Sequence, residues 1–363
     1  MRRSANKAAV MLVAMALLCA AGHAVAQSAT ASPVERLVAM EGLLFGSQQQ
    51  GAIVTRLQNI ENVVFGESGS GTLPERLDQC WNFVLGDRAG GMNLRPLFRI
   101  ERLKPSIGLV DAQGAAGHVM TTYATDQALQ IAAEQGLAMV GVKNNSHCGA
   151  LAYYVQRALD RKMAALVCVH TDKIVVPFGG RDAYFGTNPF AFGFPGTRDA
   201  ILLDMATSEV AWGKVLHARE KGQPIPETWA LDAEGNRCTD PHRAAALFPF
   251  GGPKGYGITI MVEALTGLMI GGVFGPHLKP MYNELASYRD LSSFILVIDP
   301  AIFGTADGYL ERTQRMIDEL HRHPPAPGIE QVLVPGEIEQ RAMERNRRDG
   351  IPVPQSVYDY LAG

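Results

Sequence analysis

The sequence predicts an α/β protein with extra helices, preceded by short helical repeats. Three observations carry this expectation. Helix and strand signals alternate beyond Gly90, the stretch from Asp126 to Val169 contains a strand–loop–helix–strand unit, and residues 36 to about 91 repeat with a period of 20. The composition agrees: 363 residues, 47% apolar and 19% charged, make a folded chain large enough for two sizeable cores. A formal charge of −3, with no Lys/Arg-rich block interleaved with aromatics, gives no support to nucleic-acid binding.

In chain order, Arg2, Arg3 and Lys7 precede an apolar run from Ala8 to Gly22, and Ala24-Val25-Ala26 offers a small-residue cleavage site. This is the three-part layout of a secretory leader over residues 1–26. The run is too short for a membrane-spanning helix, so no membrane association is expected. Residues 27–89 hold the repeats. Arg36-Leu37, Arg56-Leu57 and Arg76-Leu77 mark their starts, and Phe45-Gly46, Phe65-Gly66 and Leu85-Gly86 fall at matching places. Apolar residues recur at helical spacing (Leu37, Met40, Leu44; Leu57, Ile60, Val64; Leu77, Cys80, Trp81, Val84), so each unit reads as a short amphipathic helix ended by Gly. Such helices must stack on one another, on the main body or on a partner.

Residues 90–363 form the main body. Asp126–Gln135 reads as a helix closed by Gly136, Leu137–Val142 as a strand, Ala150–Arg161 as a helix and Ala164–Val169 as a strand. Further strands are expected at Ile201–Leu203 and Phe294–Ile298, with helices at Ile258–Leu268 and Tyr309–His321. Cys80, Cys148, Cys168 and Cys238 form no C-x-x-C pair and no compact framework, so neither a metal site nor a disulfide scaffold is indicated.

Three loops can carry chemistry. Asn144 to Gly149 follows a strand and contains His147, an imidazole suited to proton transfer near neutral pH. Pro177-Phe178-Gly179-Gly180 leads to Gly186-Thr187-Asn188-Pro189, where the glycines permit tight turns. Gly251-Gly252-Pro253-Lys254-Gly255-Tyr256-Gly257 opens a helix, where a lysine can hold a phosphate or carboxylate. There is no G-x-G-x-x-G after a strand and no P-loop.

Five segments in order, Asn145 to Ala150, Val176 to Gly180, Gly186 to Pro189, Asp204 to Thr207 and Gly252 to Gly257, resemble the malate/L-lactate/ureidoglycolate dehydrogenase family. The resemblance covers roughly Gly90 to Leu361, with the ureidoglycolate branch nearest through Ala211 to Leu216, Phe274-Gly275 to Met281-Tyr282, and Pro325 to Gly328. It implies a non-Rossmann fold with a mixed sheet and flanking helices, and a homodimer. The implied activity is NAD-dependent oxidation of a small 2-hydroxy acid, with NADP as the alternative cofactor. By position, His147 corresponds to the catalytic acid/base. Thr171, Asp204, Met205, Ala206, Lys254, Gly336 and Glu337 correspond to cofactor-binding positions. Ureidoglycolate, giving oxalurate, is the implied substrate, with malate, L-lactate and sulfolactate as alternatives.

The front of the chain departs from this pattern. Family members begin with a helical segment bearing Ser-His-Gly, followed by an arginine that grips the substrate carboxylate. No histidine occurs between Gln27 and Lys104. Arg76 is the candidate for that arginine, although its place also matches the repeat residues Arg36 and Arg56. Two readings of function therefore stand: an active dehydrogenase, or an exported, catalytically impaired relative whose repeats form an interaction module. The leader points to export, whereas nicotinamide chemistry points to the cytoplasm.

Overall fold

The computed structural model describes residues 32–45, 48–49, 52–65, 72–84, 88–89, 92–93, 96–280, 289–353, 355 and 358–359. The expected leader over residues 1–26, the glycines between the repeats and the Met281-Tyr282 pair lie outside them. The described residues form two compact units, one up to residue 96, the other from residue 97 onward.

In the first unit the three repeats are three helices, α1 (Pro33–Phe45), α2 (Ile53–Phe65) and α3 (Leu73–Val84), each packed on the other two. Their shared core is Leu37, Met40, Leu57, Ile60, Leu77 and Cys80, the residues at helical spacing. A capping box of Ser32 with Glu35 starts the first helix, and at the third Thr72 donates both its amide and its hydroxyl to the Glu75 carboxylate. The 20-residue period also sets the ion pairs. Each arginine reaches back to the glutamate 15 residues earlier: Arg56 to Glu41 at 2.8 and 2.7 Å, Arg76 to Glu61 at 2.8 and 2.6 Å. Arg36 has no preceding repeat and pairs with Asp78 at 2.6 Å, joining the first helix to the last.

The second unit is built on a seven-stranded mixed sheet flanked by helices. Its strands are β1 (Ile100–Lys104), β2 (Ile107–Asp111), β3 (Leu137–Asn145), β4 (Ala164–Val169), β5 (Phe190–Pro195), β6 (Ala200–Met205) and β7 (Leu291–Ile298). The spatial order is β1-β2-β3-β7-β4-β5-β6, and only β2 and β3 pair in parallel. Helix α4 (Gly117–Gln135) crosses between those two, and Gly136 closes it as expected. The helix begins nine residues earlier than the sequence suggested, and its first turns mix three threonines with the buried Met120 and Ala124. The expected strands Leu137–Val142 and Ala164–Val169 are present but not adjacent, since β7 pairs antiparallel with both.

Alternation along β7 divides the core. Ile295 and Val297 face one layer with Val140, Val142, Val167, Met120, Leu129 and Tyr154, from β3, β4, α4 and α5 (Ala152–Leu159). Phe294 and Leu296 face the other with Cys168 and Val262, the latter on α6 (Pro253–Glu263), which runs into a π turn at Ala264–Leu268. Each fully buried aliphatic side chain contributes about 1.5–3 kcal/mol. A smaller cluster (Val175, Val210, Val215, Ile225, Ala230, Leu247) lies beside a three-stranded sheet of residues 230–247. Helices α7 (Ala306–His321) and α8 (Glu337–Asp349) follow. Cys80, Cys148, Cys168 and Cys238 are buried free thiols, and no helix among the described residues is long and apolar enough to cross a membrane.

The ion-pair ladder is testable. Arg56→Ala leaves the buried Glu41 carboxylate with only the Gln49 amide as donor and should cost about 2 kcal/mol. Amide exchange should quicken across residues 33–84 while β3, β4 and β7 stay protected. Unchanged exchange in the helices would show the pair to be dispensable.

Candidate active site

His147 lies in the loop that leaves the end of β3. Asn145, the last residue of that strand, is buried and donates from its amide to Thr121 Oγ1 (2.9 Å) and Ser293 Oγ (3.2 Å), which fixes the point of exit. The N-terminus of α4 sits against the loop backbone. A Cβ at Gly117 would fall 2.3 Å from the Ser146 carbonyl oxygen and 2.4 Å from that of His147, so only glycine permits this approach. Beyond His147 the Tyr154 hydroxyl donates to the Cys148 carbonyl at 2.6 Å, and the Ala152 amide donates to Asp204 Oδ2 at 2.7 Å.

Asp204 is thus an anion at the N-terminus of α5, a favourable place for it. Desolvation pushes its carboxyl above the ordinary value, against the lowering effect of the amides of Ala152 and Leu151. Its side chain ties β6 to the loop that carries His147. Met205 ends β6 opposite Phe190, and Ala206 follows it into the next loop.

From there a ladder of backbone and hydroxyl bonds gathers the remaining loops. Thr207 donates from N and Oγ1 to the Thr187 carbonyl (2.8 and 3.0 Å), and the Thr187 amide donates to Thr171 Oγ1 (2.9 Å). On the other side the Phe250 amide donates to the Thr207 carbonyl at 3.1 Å. Lys254 follows four residues later, exposed in the first turn of α6 with Pro253 before it. Gly251 and Gly252 hold left-handed φ values of 55° and 62°, and a Cβ at Gly255 would lie 1.8 Å from the Phe250 oxygen. Gly336 and Glu337 begin α8. The Pro335 carbonyl accepts from the Leu202 amide at 3.0 Å, which docks this segment on β6 two residues before Asp204. The Glu337 carboxylate is engaged by His321 through Oε1, while its buried Oε2 lies 3.7 Å from Arg341 without a hydrogen bond.

Thr171, the 204–206 segment and the stretch before Lys254 are therefore one bonded set, joined to the His147 loop through Asp204. Arg76 belongs to the helical unit, and there its Nε and Nη2 are both given to Glu61.

Sequence reasoning missed His118. It occupies the second position of α4, and its ring stands 5.9 Å from that of His147, edge to face. It also lines a cleft of about 620 Å³ with Phe98, Thr122, Tyr123, Cys148 and Tyr153. The helical spacing of Met120, Ala124, Ala128 and Ile131, all buried, was the signal that could have placed it on a helix facing the His147 loop. His147 is open to solvent on one side, yet the protein around the rest of the ring desolvates it. That burial, then repulsion from His118 and Arg289, holds its pKa below the ordinary value against the pull of Asp172. A neutral, accessible imidazole on a fixed loop can accept a proton from a bound hydroxyl.

The chain is similar to known proteins over most of its length. The malate/L-lactate dehydrogenase family matches residues 79–362. The ureidoglycolate dehydrogenase (NAD(+)) of Escherichia coli strain K12 is 39% identical over 273 residues, 75% of this chain and 78% of that protein. The L-sulfolactate dehydrogenase of Methanothermobacter thermautotrophicus is 36% identical over 268 residues, 73% and 76% of the two chains. Among solved structures, the sulfolactate dehydrogenase from Methanocaldococcus jannaschii superposes with a TM-score of 0.70 at 30% identity, covering 90% of this chain and 93% of that one.

The electrostatics of His147 give a pH prediction. Its folded pKa lies below the unfolded value of about 6.5, so the unfolded state binds the proton more readily and stability falls as pH drops through that value. An NMR titration of the cofactor-free protein should place the His147 midpoint below about 6.5. His118→Asn should move it upward by removing the neighbouring imidazole; a midpoint unmoved by that change would discount the coupling.

Proposed function

Because the chain belongs to the malate/L-lactate dehydrogenase family, we propose that it oxidises the CH–OH carbon of a small 2-hydroxy acid with a nicotinamide dinucleotide as cosubstrate. Ureidoglycolate, yielding oxalurate, is the first substrate to try, with malate, L-lactate and sulfolactate behind it; the relatives' names point the same way. Relatives include one named for NAD(+) and one for NADP(+), and NAD is the first cofactor here. A homodimer is the assembly the family resemblance suggests.

The observation that carries this reading is the neutral, accessible His147 imidazole, held by Gly117 beneath its loop and by Asp204 beside it. His147 takes the substrate hydroxyl proton in the oxidative direction and returns it in the reductive one. The cofactor's nicotinamide supplies the acceptor for the hydride. The residues present fit such a dinucleotide. The left-handed Gly251-Gly252 turn opens the first amides of α6, and Lys254 adds a positive charge suited to a phosphate. Thr171, the backbone of Asp204, Met205 and Ala206, and the Gly336-Glu337 backbone would hold the remainder.

One observation favours the second reading, a cofactor-binding relative with impaired turnover and a helical interaction module. Arg76 grips a substrate carboxylate only by leaving Glu61, which is itself buried.

Mature protein mixed with NAD and a panel of 2-hydroxy acids should generate NADH absorbance, and His147→Gln should lower the rate on the order of 10²–10⁴-fold. Absence of signal with every acid, together with partner capture by the full chain that is lost when residues 27–90 are removed, would favour the second reading.

A further inference from the structure

Glu263 is a carboxylate with 3% of its surface exposed, on the last turn of α6. Its oxygens are fully committed. Oε1 accepts the Gly275 amide at 2.7 Å and lies 3.5 Å from His170 Nδ1, while Oε2 accepts the Asn188 side-chain amide at 2.7 Å. His170 is completely buried at the end of β4, and its Nε2 accepts the Ser292 amide at 2.8 Å. That acceptance leaves the ring proton on Nδ1, facing Glu263. Burial alone would push the Glu263 carboxyl up, but the neighbouring His170 and the bonds from Gly275 and Asn188 hold it below its ordinary value.

Asn188 is the second joint. Its Oδ1 accepts the Thr171 amide at 3.2 Å, and its Nδ2 also reaches the Thr259 carbonyl of α6 at 3.3 Å. One side chain thus spans from the loop of Thr171 to the helix whose first turn carries Lys254. Asn188 holds a φ of 35°, uncommon for a residue with a side chain, and it does so where both its polar ends are used. The helix changes to a π turn at Ala264–Leu268, immediately after Glu263. There Gly267 passes His170, and a Cβ would lie 2.9 Å from its Nδ1.

We propose that Glu263, through Asn188 and with His170 as its buried neighbour, is a positioning residue that sets the distance between Thr171 and the Lys254 helix and thereby the dinucleotide site. The inference rests on the proposed cofactor reading and goes beyond it, since none of the three is among the residues assigned to the cofactor. A carboxylate suits the site because the Gly275 and Asn188 amides donate to its two oxygens while His170 Nδ1 stands 3.5 Å away without a hydrogen bond of its own. Glutamine at 263 presents an NH₂ to one of those amides, leaving two donors face to face in a buried site.

The experiment uses the full chain. Glu263→Gln is compared with wild type by amide exchange without cofactor and by NADH titration followed by fluorescence. Exchange at Thr171 and Gly275 should quicken locally, and NADH affinity should fall on the order of tenfold, the effect of one lost charge-assisted bond. His147 should keep its NMR titration midpoint, which a general loosening of the fold would shift. Should Glu263→Gln fail to fold, His170→Gln and His170→Phe replace it. Glutamine retains a donor and an acceptor and should bind NADH nearly as wild type does, whereas phenylalanine should not. Wild-type affinity in a folded Glu263→Gln or His170→Phe protein, or unchanged exchange at Thr171 and Gly275, overturns the proposal. If the wild type binds neither NADH nor NADPH, the cofactor reading itself fails, a result distinct from these.

Discussion

The site depends on where one strand inserts. β7 lies between β3 and β4 and pairs Leu291 with Asn145 and Ser293 with Val169. The loops of His147 and Thr171 therefore leave the same end of the sheet, separated by a single strand. Strand spacing sets that separation at about 10 Å, the scale of a nicotinamide riboside rather than of a bond. Ser292, at the start of the inserted strand, donates its amide to His170, and Ser293 accepts from Asn145. The inserted strand thus fixes both loops by hydrogen bonds as well as by pairing.

On that frame the loops are held by close backbone approach rather than by side-chain packing. Gly117 brings a helix N-terminus onto the His147 loop, and Gly255 lets α6 turn against Phe250. The threonine ladder from Thr171 through Thr187 to Thr207 then passes order from loop to loop using short, stiff side chains. Loops built this way place backbone amides where a ligand can meet them without large side chains in between.

The helical unit obeys another rule. Its period of 20 serves hydrophobic stacking and charge pairing together, since every arginine that has a preceding repeat finds that repeat's glutamate. The ends break the pattern as a finite array must: Arg36 turns to Asp78, and the third repeat carries Trp81 where the others carry glutamate. Arg76 is bound into this array, so the residue that sequence spacing offered for substrate binding also has a structural partner.

Much of this was legible in the chain. The three helices, the strands Leu137–Val142 and Ala164–Val169, and the Gly136 cap follow from local periodicity and turn chemistry, which act between residues a few positions apart. The ordered motifs singled out His147, the 204–206 segment and Lys254 as expected site positions, and the family resemblance added Thr171. What the tertiary structure decided were the long-range partners. That Phe294–Ile298 enters between two strands more than 120 residues earlier leaves no mark on either segment's own pattern. Glu263 reads as an isolated polar residue in an apolar stretch, His170 as the first residue of a polar loop, and His118 lay in a stretch with no assigned element. Their roles come from neighbours that only folding supplies, because a buried charge is tolerated where donors from separate segments of the chain converge on it.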